Sequence, residues 1–124
     1  KLLDWLKQQA QFSQVLHPAD PDNISHPYWQ TVCQEQHSAG LVSVIFDAKY
    51  SLQDIREFCD ALQLFKLGFS WGGPLSLVML YELQHMRSLE HTHLQSGILV
   101  RFCIGLEDTQ DLIQDIQQAL GILD

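Results

Sequence analysis

Basic residues are scarce in this chain. Seven Lys and Arg stand against fifteen Asp and Glu, a formal net charge of −8, and the seven are scattered as Lys1, Lys7, Lys49, Arg56, Lys66, Arg87 and Arg101. A polyanion finds no basic patch from which to release counterions, so the composition argues against nucleic-acid binding. No apolar run approaches the roughly 20 residues needed to span a bilayer, and no basic stretch precedes an apolar one as in a secretory leader. The three cysteines, Cys33, Cys59 and Cys103, are odd in number and far apart. They read as free thiols in a reducing compartment, and the expected location is the cytoplasm. Internal repeats and low-complexity tracts are also missing.

What remains is an ordinary globular composition, 46% hydrophobic and 18% charged, expected to fold as one domain over residues 1–124. Leu2, Leu3 and Leu6 fall at helical spacing with no cap before them; the chain is expected to begin inside a helix (2 to about 11) and to be cut from something longer. Val15-Leu16-His17-Pro18 reads as an edge strand ended by proline. Ser25 and Pro27 open a helix carrying Trp29, Val32 and Cys33 on one side. Leu41 to Phe46 is a β-branched strand after Gly40, and Ser51-Leu52-Gln53-Asp54 resembles a capping box ahead of Ile55, Phe58, Cys59 and Leu62.

Phe65 to Phe69 reads as a strand emptying into a tight Gly72-Gly73-Pro74 corner. Residues 75–83 fit helix or strand, and His85 to Gln95 a loop. In Ile98 to Ile104, Ile98, Val100, Phe102 and Ile104 point one way and Leu99, Arg101 and Cys103 the other. A last helix starts near Glu107 or Asp108, buries Leu112, Ile113, Ile116 and Leu120, and stops at Gly121. The expected class is α+β, a small, mostly antiparallel sheet with helices packed on one face.

Arg101 is the sharpest candidate for chemistry. A guanidinium is a planar fork that holds a carboxylate through two parallel bonds, and a strand position fixes where it sits. A surface arginine on a solvated sheet face is the commoner meaning of that pattern. Ser70-Trp71-Gly72-Gly73 is the second candidate: the glycines let a ligand approach the backbone, and Trp71 offers an apolar wall with an N–H donor. A turn beside a core tryptophan is its plain alternative. His91 and His93 lack an identifiable third metal ligand, Cys103 reads as packing, and nothing sets Lys66 opposite a phosphate site. Glu107, Asp108, Asp111 and Asp115 read as capping and dipole-matching groups at a helix start.

The ordered set of Val15-Leu16-His17-Pro18, Gly40-Leu41-Val42-Ser43-Val44, Phe69-Ser70-Trp71-Gly72-Gly73, Leu99-Val100-Arg101 and Gly105-Leu106-Glu107-Asp108 resembles the C-terminal domain of the Cys/Met-metabolism enzymes that use pyridoxal 5'-phosphate (PLP), of fold type I. Ser-Trp-Gly-Gly is most similar to the β-lyase branch; γ-lyases and γ-synthases usually carry Ser-Leu-Gly-Gly. The resemblance implies a PLP-dependent carbon–sulfur lyase of methionine biosynthesis and transsulfuration, a homotetramer cleaving cystathionine to homocysteine, pyruvate and ammonia. It implies that Arg101 binds the substrate α-carboxylate, that Ser70, Trp71 and more weakly Phe69 line the pocket, and that the Schiff-base lysine and most of the cofactor site lie in a large domain before this segment, leaving this piece inactive alone. Relatives continue the corner as Gly-Gly-Tyr/Val-Glu-Ser, whereas here it runs Gly73-Pro74-Leu75-Ser76. The alternatives are a γ-type enzyme of the same family and a non-catalytic α+β assembly domain.

Overall fold

The computed structural model describes residues 1–33 and 37–123. Its elements run α1 (Leu2–Leu6), β1 (Phe12–Leu16), α2 (His26–Val32), β2 (Leu41–Phe46), α3 (Leu52–Ala61), β3 (Lys66–Leu67), β4 (Leu77–Tyr81), α4 (Leu83–Met86), β5 (Leu99–Cys103) and α5 (Thr109–Leu120). The strands form one sheet in the order β1-β2-β5-β4-β3, antiparallel except for the outermost pair, β4 with β3. The expected α+β class is what is found.

Alternation divides the sheet into two faces. Val42, Val44, Phe46, Val78, Val100 and Phe102 are buried against Ile55, Phe58, Cys59, Leu112, Ile116 and Ala119 of α3 and α5, with Leu6 of α1 in the same cluster. Phe46, Phe58, Phe102 and Phe65 continue this core as edge-to-face aromatic pairs, each adding roughly 0.5–1.5 kcal/mol beyond area burial. The capping box that opens α3 is complete: the Ser51 hydroxyl accepts from the Asp54 N–H, and the Asp54 carboxylate accepts from the Ser51 N–H.

Several boundaries differ from the sequence reading. Helix α1 ends at Leu6, and the edge strand begins earlier, at Phe12, whose ring packs edge-on against Phe46. The strand expected over Phe65 to Phe69 is ladder only at Lys66 and Leu67, because its one neighbour is β4. The ambiguous run resolves into β4 followed by the short α4. The Ser25 side chain makes no cap hydrogen bond, and Val32 is exposed while Trp29 is buried. Gly121 ends α5 with φ −61, inside the right-handed region.

Candidate functional site

Strand β5 lies at the centre of the sheet, so its outward residues are framed on both sides. On the face away from α3 and α5, register sets Arg101 between Ser43 of β2 and Met79 of β4. The rungs on either side, Leu41–Cys103–Leu77 and Ile45–Leu99–Tyr81, are largely apolar. Arg101 is therefore half-buried with its stem flanked by apolar neighbours and its charged end directed to the sheet's second surface.

Two neutral groups fix the guanidinium. Arg101 Nη2 donates to the Phe69 carbonyl at 2.7 Å, and its central carbon lies 5.6 Å from the centroid of the Tyr81 ring. Among the described residues no carboxylate pairs with it. A guanidinium carries five N–H donors, so one bond to a carbonyl leaves most of the fork open and its charge uncompensated.

The Phe69–Gly73 corner is tied to the same strand twice. Besides the Phe69 carbonyl on Arg101, the Gly72 N–H donates to Cys103 Sγ at 3.4 Å. Gly72 has φ +77, a conformation that other residues adopt only with strain. Phe69 and Trp71 are 71% and 63% exposed, and Ser70 is exposed with them. Of the four candidate residues, the arginine side chain is held by two contacts, while those of Phe69, Ser70 and Trp71 are exposed.

Both ends of the segment that carries the corner are anchored by carboxylates from the chain's last part. Asp115, 5% exposed, accepts from the N–H groups of Gln63, Leu64 and Phe65 at 2.7, 2.8 and 3.1 Å. Glu107 accepts from the Ser76 N–H at 2.8 Å and from its hydroxyl at 2.7 Å, and Ser76 Oγ in turn accepts from the Gly105 N–H. Partial burial works against ionisation of Glu107, but the Ser76 bonds together with the N–H groups of Glu107 and Leu106 outweigh it and hold the carboxyl below its usual range. Asp108 does cap α5, accepting from the Gln110 N–H. Asp115 and Glu107 are not the helix-start charges the sequence pattern implied. Their partners are backbone and side-chain donors from the strand-and-corner segment.

Sequence reasoning missed Ser76 and Tyr81, and gave Asp115 a different role, as a charge at a helix start. One signal for Asp115 was present: it falls on the Leu112, Ile116, Ala119 stripe of α5, where a charge must find partners. His91 and His93 lie in the loop before β5, and no group of three His, Cys, Asp or Glu among the described residues could hold a metal. Burial pushes the Cys59 thiol up to about 12, so it is packing.

Three of the four lysines are engaged in contacts that do not involve Arg101. Lys7 is bound by Asp20 and Asp22, Lys49 lies over Tyr50, and Lys66 donates to the Gln63 carbonyl on the outermost strand.

A mostly antiparallel five-stranded sheet backed by α3 and α5, with Arg101 on its second face, makes this an α+β domain. The model of the family described as Cys/Met metabolism PLP-dependent enzyme matches residues 1–121, and the chain belongs to that family. It is 38% identical over 120 residues to the cystathionine β-lyase of Bordetella avium and 33% over 118 residues to that of Escherichia coli K12, covering 97% and 94% of this chain. It is also 31% identical over 119 residues to an L-alanine/L-glutamate racemase of Wolbachia pipientis wMel, covering 96% of the chain. In each case the chain spans 29% of the relative's length. Among solved structures, a methionine γ-lyase from Micromonospora echinospora aligns at TM-score 0.76 and 26% identity, over 97% of this chain and 30% of that one. A Campylobacter jejuni protein assigned as an O-acetylhomoserine (thiol)-lyase, which carries a pyridoxyl-lysine phosphate, aligns at TM-score 0.76 and 25% identity, over 97% and 26%. The family is PLP-dependent.

Proposed function

We propose that the chain is the C-terminal small domain of a longer PLP-dependent carbon–sulfur lyase, and that the intact enzyme, a homotetramer, cleaves cystathionine to homocysteine, pyruvate and ammonia. Arg101 receives the substrate α-carboxylate, and Ser70, Trp71 and Phe69 line the pocket beside it. PLP and its lysine belong to the rest of the enzyme; the family's cofactor supplies the electron sink for amino-acid chemistry, and this domain supplies orientation. The observation that carries the reading is the arginine's setting: half-buried, held by a carbonyl and a ring, and with no acid on it among the described residues. An acid on the guanidinium would compete with an incoming carboxylate, so its lack among the described residues leaves that role available. The β-lyase names of the Bordetella and Escherichia relatives, together with Ser70-Trp71, favour β-cleavage.

The deciding experiment is Arg101→Lys in the intact enzyme. Lysine keeps the charge and loses the fork, so kcat/KM should fall about 10- to 100-fold, the equivalent of one or two charge-assisted bonds. Unchanged kinetics remove Arg101 from the pocket and leave an assembly domain as the better account. A second reading, another reaction of the same family, is favoured by the racemase and γ-lyase relatives. Product analysis separates these: homocysteine with pyruvate for β-cleavage, cysteine for γ-cleavage, and an inverted amino acid for a racemase.

A further inference from the structure

The ring that helps to hold Arg101 belongs to Tyr81, a residue given no part so far in choosing the substrate. It stands at the end of β4, on the rung next to Arg101: Met79 pairs with Arg101 and Tyr81 with Leu99. Tyr81 is thus the diagonal neighbour of Arg101 on the sheet's second face, a separation that long and aromatic side chains bridge. The guanidinium carbon lies 5.6 Å from the ring centroid, within cation–π range.

The chemistry of this partner matters. A free arginine side chain spreads over many rotamers, and a binding site pays to order it each time a ligand arrives. A carboxylate could order it beforehand, but would also neutralise it and compete with the incoming anion. An aromatic face orders the guanidinium without discharging it, and the Phe69 carbonyl does the same from the plane of the fork. We propose that Tyr81 is a positioning residue: its ring holds Arg101 preorganised and still charged, and so sets the enzyme's discrimination for substrates bearing an α-carboxylate. The inference rests on the reading of Arg101 as the carboxylate receptor.

The test uses the intact enzyme and two ligands: the amino-acid substrate, and its amine analogue lacking the α-carboxylate, measured as a competitive inhibitor. Tyr81→Leu should raise the substrate KM about fivefold to thirtyfold while the inhibition constant of the amine analogue stays within about twofold. Tyr81→Phe, which keeps the ring, should leave both within about twofold. Should the leucine variant fail to fold, Tyr81→Met repeats the measurement with a flexible apolar filler. If removing the ring weakens both ligands equally, or neither, the positioning role is overturned. Arg101→Ala run in parallel tells the two failures apart. Loss of discrimination in Arg101→Ala but not in Tyr81→Leu overturns Tyr81 alone, whereas discrimination kept in Arg101→Ala overturns the carboxylate reading and this inference with it.

Discussion

A glutamate that accepts from both the amide and the hydroxyl of one buried serine makes that joint sensitive to pH. Glu107 has its carboxyl held below the ordinary value of 4.5, so its folded form binds protons less readily than its unfolded form. Its stabilising effect is full above that ordinary value and is lost as pH falls through the lower folded value. Glu107→Gln should therefore be less stable than the native chain at neutral pH, and the gap should close in acid; denaturant titrations across that range read it directly. Gly105 belongs to the same joint: a Cβ there would run into the Pro74 carbonyl, the Leu75 backbone and the Glu107 carboxylate. Gly105→Ala should cost about 1–3 kcal/mol through strain and displacement of the Ser76 bonds. Of these residues, Arg101 and Glu107 were visible in the sequence as a charge interrupting a strand and a charge beside a helix start. Only Arg101's setting followed from that, because strict alternation tells which face a strand residue occupies. The partner of Glu107 is Ser76, thirty-one positions away, and no local pattern announces it. Tyr81 escaped for a related reason: it lies in an apolar run whose period fits helix or strand, and its meeting with Arg101 depends on sheet register.

Helix α5 does more than cover the sheet, because it carries the carboxylate on which the corner segment turns. Asp115 sits in the buried stripe and takes three consecutive N–H groups from residues that leave α3 and enter β3. Those donors have no ladder partner at that point, so Asp115 serves them in place of a neighbouring strand. Asp115→Ala should destabilise the chain by roughly 3 kcal/mol, since one buried and two partly buried donors lose their acceptor together. Asp115→Asn, which keeps one oxygen, should lose less, and thermal unfolding of the two variants gives the order. The other end of α3 is a simpler case: Ser51→Ala removes one arm of a complete capping box and should cost about 1 kcal/mol. That cap was legible because all its atoms lie within four residues. Helices α3 and α5 and strands β2 and β5 were legible for the same reason, each having a clear period over its own length. Strand β3 was overextended because hydrophobicity from Phe65 to Phe69 marks burial of Phe65, 2% exposed, and not continued pairing. Phe69, at the far end of the same run, is 71% exposed.

At the scale of the molecule the two sheet faces are unequal. One carries α3, α5 and the aromatic core; the other carries Arg101 and Tyr81, with the corner tied to it through the Phe69 carbonyl. No helix among the described residues is long and apolar enough to cross a membrane. Around the corner, Leu67, Phe69, Trp71, Leu75 and Leu106 are all more than half exposed. Contiguous exposed apolar patches mark interaction surfaces in soluble proteins. If this chain is one domain of a larger lyase, the companion is the rest of the enzyme together with its substrate, and Trp71 becomes a reporter of that cover. In this chain Trp71 is 63% exposed and Trp29 only 8%. Hydroxyl-radical footprinting read by mass spectrometry should therefore oxidise Trp71 several-fold faster than Trp29 when the chain is studied by itself. In the intact enzyme the two rates should approach each other, and saturating substrate should slow Trp71 further while leaving Trp29 unchanged. Were Trp71 to stay as reactive in the intact enzyme with substrate as in the chain by itself, the corner would face solvent, and Ser70, Trp71 and Phe69 would lose their place in the pocket while Arg101 would have to be judged by its own kinetics.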